Sequence, residues 1–254
     1  MPESTAIIPI KIDSDKRKQN VEITLKFLLE HTDFDIIVTE ADVEQKFNNN
    51  IFNSDRIQYF FEKSSDFHRT RLINQMLHKV KTPVTVNYDA DVFLRPESYI
   101  VAQHLILHKN YDLIYPYGFE QYDQRMIDID ANLDKFKTTL NISDIPISSI
   151  KIGFCRFGHV QFFKTKSYRD GFMENENYRH WCPEDEERGF RFKNLGYNVG
   201  WFKNIVFHQE HPPSPLNEPI NKDEIYKLHY NLLKMNKDEL VNYYKKQEYL
   251  KKYD

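Results

Sequence analysis

The chain has 254 residues, of which 40% are hydrophobic and 29% charged, with a formal net charge of −3. That length supports one large α/β domain or a domain with an appendage, and the balance excludes a disordered chain. The weak negative charge excludes the global basic field that recruits nucleic acid, so no nucleic-acid partner is expected.

Two cysteines, Cys155 and Cys182, are too few for a disulfide framework and fit no C-x-x-C zinc pattern. They read as ordinary thiols of a reducing compartment. The opening MPESTAIIPIKID carries neither a basic leader nor a long apolar core, and no apolar run approaches the roughly 18–20 residues that span a bilayer. The expectation is a cytoplasmic protein, or a soluble piece of a larger one.

Residues 6–12, AIIPIKI, read as a short buried strand. The following SDKRKQNVEITLKFLLEHT keeps a helical period through Val21, Leu25, Leu28 and Leu29. FDIIVTE at 34–40 reads as a second strand and RIQYFF at 56–61 as a third. Asp66 is expected to cap a helix whose Leu72, Ile73, Met76, Leu77 and Val80 form the buried stripe. TPVTVNYDAD is then a strand ending on paired acids, a helix starts near Pro96, and YDLIYPY at 111–117 is another strand. This alternation predicts a mostly parallel, doubly wound sheet flanked by helices, with ligands beyond the carboxyl ends of its strands. No G-x-G-x-x-G or Walker loop follows the first strand.

Residues 118–150 are polar and irregular, with a helix expected around 123–138, and HVQFFKTK at 159–166 resumes strand character. A helix is expected from near Pro183 to Gly196, followed by a strand. Asn221 with Glu224 and Asn236 with Glu239 carry capping-box spacing, so residues 221–254 read as a helical tail. Ile225, Leu228 and Leu232 share one face of its first helix, which predicts docking on the domain. Tyrosines and lysines near its end leave a peripheral contact with a membrane surface or a partner open.

Three clusters carry chemistry. Asp89 and Asp91, one residue apart at a strand end, repel each other unless positive groups stand beside them. WCPEDEERGFR at 181–191 packs four acids into the start of a helix. Dipole complementation accounts for Glu186 and Glu187, whereas Trp181 beside Glu184 and Asp185 suggests an aromatic wall against a general base. In NIVFHQEHPPSP, His208 and His211 follow a strand. Aspartate oxygens with one imidazole nitrogen suit Mn2+ and tolerate Mg2+.

The order D-A-D, then W-x-x-E-D heading a helix, then F-H-Q-E after a strand resembles the GT-A glycosyltransferases. FHRTRLINQML before TVNYDADVFLRP resembles the β-1,4-galactosyltransferase catalytic domain, and FHQEHPPS resembles a segment of bacterial chondroitin-polymerase-type domains of family 2. The resemblance spans about residues 6–213. It implies a GT-A fold in residues 1–220, with a nucleotide-binding half to about 117 and an acceptor-binding half from about 118 to 220. It also implies an inverting transfer of a hexose-type sugar from a UDP-sugar to a saccharide hydroxyl, in surface polysaccharide or glycan synthesis. Asp91 and His208 then hold the metal and Asp89 joins them while contacting the sugar nucleotide. Asp185 is the base, Glu184 holds substrate hydroxyls, and Pro9, Arg17, Glu40, Phe67, Arg69 and Trp181 fall at nucleotide or substrate positions. His211, beside two prolines, is expected to shape the loop. Cys182-Pro183 departs from the family's glycines before E-D, and the galactosyltransferase methionine ligand has no counterpart.

Two other readings use the same residues. A sugar-nucleotide pyrophosphorylase would carry a glycine-rich basic loop where KIDSDKRKQN stands, and a catalytically silent glycan-binding domain would have no need of intact Asp89, Asp91, Asp185 and His208.

Overall fold

A computed structural model of the chain describes residues 2–48, 50–118, 120, 123–180, 182–214 and 221–253. The N-terminal half builds as the periodicity predicts. Strand β1 (Ser4–Ile10) leads into helix α1 (Asp15–His31), whose N-terminus Ser14 caps by accepting the Arg17 N–H. Strands β2 (Asp35–Asp42) and β3 (Ile57–Lys63) follow, then α2 (Arg69–Lys79) and β4 (Val84–Tyr88). Helix α3 (Pro96–His108) starts on Pro96, where a residue without an N–H costs the helix nothing. The expected Asp66 cap does not form: α2 starts after His68 without a side-chain cap, and Asp66 faces His180 instead.

Seven strands form the main sheet, in the order β10-β6-β9-β4-β1-β2-β3, with β6 (Leu113–Tyr115), β9 (Val160–Lys164) and β10 (Val199–Trp201) completing it. All neighbours pair in parallel except β9, which runs antiparallel to both β4 and β6. The chain reverses its winding between β1 and β4, which makes the crevice at their carboxyl ends the topological switch point. β4 pairs β1 only over Ser4–Ile7, so Pro9 lies beyond that pairing and costs no ladder hydrogen bond to β4.

A four-stranded sheet, β5-β11-β7-β8, closes one side of that crevice through β5 (Val92–Leu94), β7 (Gln124–Ile127), β8 (Ile150–Ile152) and β11 (Val206–Gln209). Here the sequence expectation fails. Residues 124–127 are a strand between β11 and β8, and helix α4 covers only Asp134–Thr139. Pairing on both sides overrides the helical preference of QRMI.

Helix α5 (Thr165–Asp170) and helix α6 (Glu184–Leu195) follow, α6 ending on Gly196 at φ 92°. The tail forms α7 (Lys222–Lys234), α8 (Lys237–Lys245) and a short turn at Glu248–Lys252. Asn236 and Glu239 make the expected capping box. Asn221 adopts φ 54° instead and makes no side-chain cap. Among the described residues no helix is long and apolar enough to cross a membrane.

Candidate active site

The carboxyl ends of β1 and β4 open into a cavity of about 440 Å³. Its lining includes Pro9 and Arg17 from the β1–α1 side, Phe67 and Arg69 at the start of α2, and Asp89 and Asp91 beyond β4. Glu184 and Asp185 at the head of α6 and His208 on β11 line it as well. Residues spread over most of the chain thus meet in one crevice.

The D-A-D segment is the turn between β4 and β5 rather than the end of a strand, and its two carboxylates diverge. Asp89 Oδ1 lies 2.6 Å from Arg69 Nη2, and its Oδ2 accepts the His159 N–H at 3.0 Å. Asp91 turns to the histidines. His208 pairs with Val92 across β11 and β5, and the Gln209 N–H donates to the Asp91 carbonyl at 2.8 Å. That register brings His208 Nε2 to 3.6 Å from Asp91 Oδ1 and His211 Nε2 to 3.1 Å from Asp91 Oδ2. The mutual repulsion of two acids is therefore relieved by giving each its own cationic or polar partners.

Asp91, His208 and His211 each offer one ligand atom within 4.8 Å of the others. The set fits a divalent metal by its donor chemistry, one carboxylate oxygen and two imidazole nitrogens. His211 Nδ1 lies 2.9 Å from the Pro212 carbonyl, which favours the tautomer that frees Nε2 as a lone-pair donor. Two imidazoles with one carboxylate suit a transition-metal ion, Mn2+ among them, better than Mg2+. Burial works against ionisation of Asp91, but the two histidines outweigh it and hold the carboxyl well below its usual range. Asp89, grouped with the metal from sequence, lies outside this cluster, with both oxygens engaged elsewhere. His211, expected only to shape the loop, lies inside it. Its signal was the H-x-x-H spacing directly after a strand.

The acid pair at the head of α6 divides in character. Asp185 Oδ1 faces Arg69 Nη1 at 3.4 Å and accepts a close hydrogen bond from Arg188, a fully buried residue. Burial opposes its charge, but those two guanidiniums outweigh the penalty and keep it below the ordinary carboxylate range. Glu184 Oε1 lies 3.2 Å from Arg69 Nη1. Burial, then repulsion from Asp185, pushes its carboxyl up to about 8. At neutral pH the pair therefore offers one ionised acceptor and one protonated donor. Arg69 links both acids to Asp89 through a single guanidinium.

Glu40 does not line the cavity. It is fully buried, accepting the Lys46 and Phe47 N–H groups and a close hydrogen bond from the Tyr59 hydroxyl. Its carboxylate is spent on fixing the segment after β2, so its placement at a nucleotide position is corrected. Trp181 lies outside the described residues. The lining also holds groups that sequence reasoning passed over: Lys11, Asp13, His159 and His180. Burial, then repulsion from His208, pushes the His159 imidazole down to about 3, so it is neutral. Both cysteines reach the cavity, and burial raises both thiols, Cys155 to about 11, so neither is a thiolate nucleophile.

No protein-family model matches the chain, and no curated protein matches it in sequence. Solved structures match its fold. The mannosyltransferase PcManGT of Pyrobaculum calidifontis, in complex with GDP-Man and Mn2+, superposes at a TM-score of 0.54 and 12% identity over 84% of this chain. The chain spans 58% of that protein's structure. S. aureus TarS residues 1–349, in complex with UDP-GlcNAc, superposes at 0.59 and 10% identity over 95% of this chain and 71% of its own. The catalytic domain of Drosophila β1,4-galactosyltransferase 7, in complex with xylobiose, superposes at 0.52 and 12% identity over 94% and 84%. The chain has a GT-A-like fold, a mostly parallel central sheet flanked by helices.

Proposed function

We propose that this chain is a metal-dependent, inverting glycosyltransferase that moves a hexose-type sugar from a UDP-sugar to a saccharide hydroxyl, in surface polysaccharide or glycan synthesis. The observation that carries the reading is one cavity lined by both the Asp91–His208–His211 cluster and the Glu184–Asp185 pair, with Arg69 tied to Asp89 and to the pair. The fold likeness to sugar-nucleotide enzymes supports it.

A bound divalent ion held by Asp91, His208 and His211 would supply Lewis-acid neutralisation of a diphosphate leaving group. Lys11 and Arg17, which also line the cavity, offer cationic groups to phosphate oxygens, Arg17 sharing its charge with Asp13 at 2.9 Å and Lys11 with Asp42 at 3.5 Å. Asp89, fixed by Arg69 and the His159 N–H, orients donor hydroxyls. Both guanidinium contacts to Asp185 fall on Oδ1, which leaves Oδ2 to take the proton of the acceptor hydroxyl. Glu184, protonated at neutral pH, donates a hydrogen bond to a substrate oxygen. A base on the face opposite the leaving group gives a single displacement and hence inversion.

A nucleotide-release screen over UDP- and GDP-sugars tests the reading, run with Mn2+ and with chelator, with and without saccharide acceptors. Release that needs the metal and rises with an acceptor is expected. Release of pyrophosphate from a nucleoside triphosphate and a sugar phosphate would replace the reading with a pyrophosphorylase. Nucleotide binding without turnover of any donor would leave a silent binding domain.

A further inference from the structure

The C-terminal helices do more than cover an apolar face. α7 and α8 pack on α6 and its flanks through Leu195, Ile225, Leu232, Leu240 and Tyr244. That cluster by itself would account for docking. What it does not require is a set of buried polar groups aimed at the acids of the first turn of α6, the turn that carries Glu184 and Asp185.

His229 on α7, 2% exposed, places Nε2 at 3.2 Å from Glu186 Oε2 and Nδ1 at 3.1 Å from the Tyr178 hydroxyl. Tyr244 on α8, fully buried, donates its hydroxyl to Glu187 Oε1 at 2.6 Å. The same hydroxyl accepts the Asn175 amide N–H at 3.1 Å. Asn175 adjoins Glu174, whose carboxylate lies 3.2 and 3.3 Å from Arg188 Nη1, and the other amino group of Arg188 reaches Asp185. The Tyr244 ring stacks on Phe172 at 5.1 Å, with the Arg191 guanidinium 4.8 Å from its centroid. Arg191 in turn holds Glu187 at 2.9 Å and the Met173 carbonyl at 2.8 Å. Tyr244 thus joins Arg188 and Arg191 in fastening α6 to the 171–175 segment, and it does so from the tail; both of those elements carry a support of Asp185.

We infer that Tyr244 and His229 are positioning residues for the acid pair: the tail sets the orientation of Asp185 through Glu186, held by His229, and through Glu187, Asn175 and the Glu174–Arg188 bridge, reached by Tyr244. The inference rests on the reading of Asp185 as the acceptor-activating base. Four successive acids at one helix start repel one another, and the order in which they are neutralised decides where each points. Glu186 and Glu187 are drawn outward to the tail, while Asp185 is left to Arg69 and Arg188.

The test uses the full chain carrying Tyr244→Phe, which keeps the ring stack and removes only the hydroxyl, and separately His229→Gln. Affinity for UDP with Mn2+ is read by calorimetry and sugar-nucleotide turnover by nucleotide release. The Asp185 carboxyl titration is read by carbon NMR, assigned by difference against Asp185→Asn. Arg69, Arg188, Glu184, Asp89, His159, Cys155, Tyr115 and Tyr117 face Asp185, so a change in its setting registers in that titration. Tyr244→Phe is expected to leave the affinity within about twofold, to lower turnover about tenfold as befits one buried hydrogen bond, and to move the Asp185 titration upward. His229→Gln shifts the same two readouts in the same direction. Unchanged turnover and titration in both variants would overturn the inference. So would a loss of UDP–Mn2+ affinity in step with turnover, because the tail would then support the whole fold rather than the acid pair. The titration needs neither donor nor acceptor, so it reports on the tail even if the transferase reading fails.

Discussion

His211 Nε2 stands 3.1 Å from Asp91 Oδ2, closer than His208 Nε2 stands to Asp91 Oδ1 at 3.6 Å. The second histidine is therefore as much part of the cluster as the first, and its Nδ1 contact with the Pro212 carbonyl orients the ring. His211→Ala and His208→Ala should each weaken Mn2+ binding by at least roughly tenfold, the scale on which even an outer partner of a metal ligand acts. Asp89→Asn should weaken it less, because both Asp89 oxygens are committed to Arg69 and the His159 N–H. Electron paramagnetic resonance of free Mn2+ measures this without any turnover. Full affinity in His211→Ala would remove it from the ligand set.

Metal and nucleotide should stabilise the fold together. A ligand that binds only the native state adds about 2.7 kcal/mol at a concentration 100 times its Kd. UDP with Mn2+ should raise Tm more than UDP with chelator, and Asp91→Ala should lose the metal-dependent part alone. An equal shift in that variant would place the metal elsewhere.

The βαβ order of the first half was legible because helical and strand periods are local properties of the chain. The acid and histidine clusters were legible as residue types at strand and helix ends. Long-range pairing was not. Nothing in HVQFFKTK says that β9 runs antiparallel between β4 and β6, and nothing in QRMI says that it pairs with β11. The divergence of Asp89 from Asp91 follows from β5 starting immediately after the pair, which turns the second acid toward β11. Glu40 looked available in the sequence. Its burial is set by Lys46, Phe47 and Tyr59, partners that only the folded segment brings round.

Glu184 makes stability fall with pH. Its carboxyl titrates near 8 in the fold against an ordinary value of 4.5, so between those values the native state holds the extra proton. Stability then declines as pH rises through that window, with the penalty complete above about 8. Glu184→Gln keeps an acceptor for Arg69 and removes the titration. Its Tm should gain on that of the parent between about pH 5 and about pH 8, and the difference should be constant above. Parallel Tm curves for parent and variant would show that Glu184 ionises normally.

The strongest functional test falls on Asp185. Arg69 and Arg188 keep it ionised, both contacts lie on Oδ1, and it stands at the head of α6 in the same cavity as the metal cluster. Asp185→Asn preserves size and hydrogen bonding while removing basicity. UDP and Mn2+ binding should persist, and transfer should fall by roughly 10²–10⁴-fold, the usual worth of general-base catalysis. Glu184→Gln keeps a donor in its amide N–H and an acceptor in its carbonyl, so substrate recognition and rate should hold at neutral pH, whereas Glu184→Ala, which removes both, should impair them. Inversion is read from the anomeric coupling of the product by NMR: a β-linked product from an α-linked donor is expected, and an α-linked one would rule out a single displacement. Normal turnover by Asp185→Asn would pass the role of base to Glu184, whose raised titration would then appear in the pH dependence of the parent's turnover and move down in the variant, where the repulsion from Asp185 is gone.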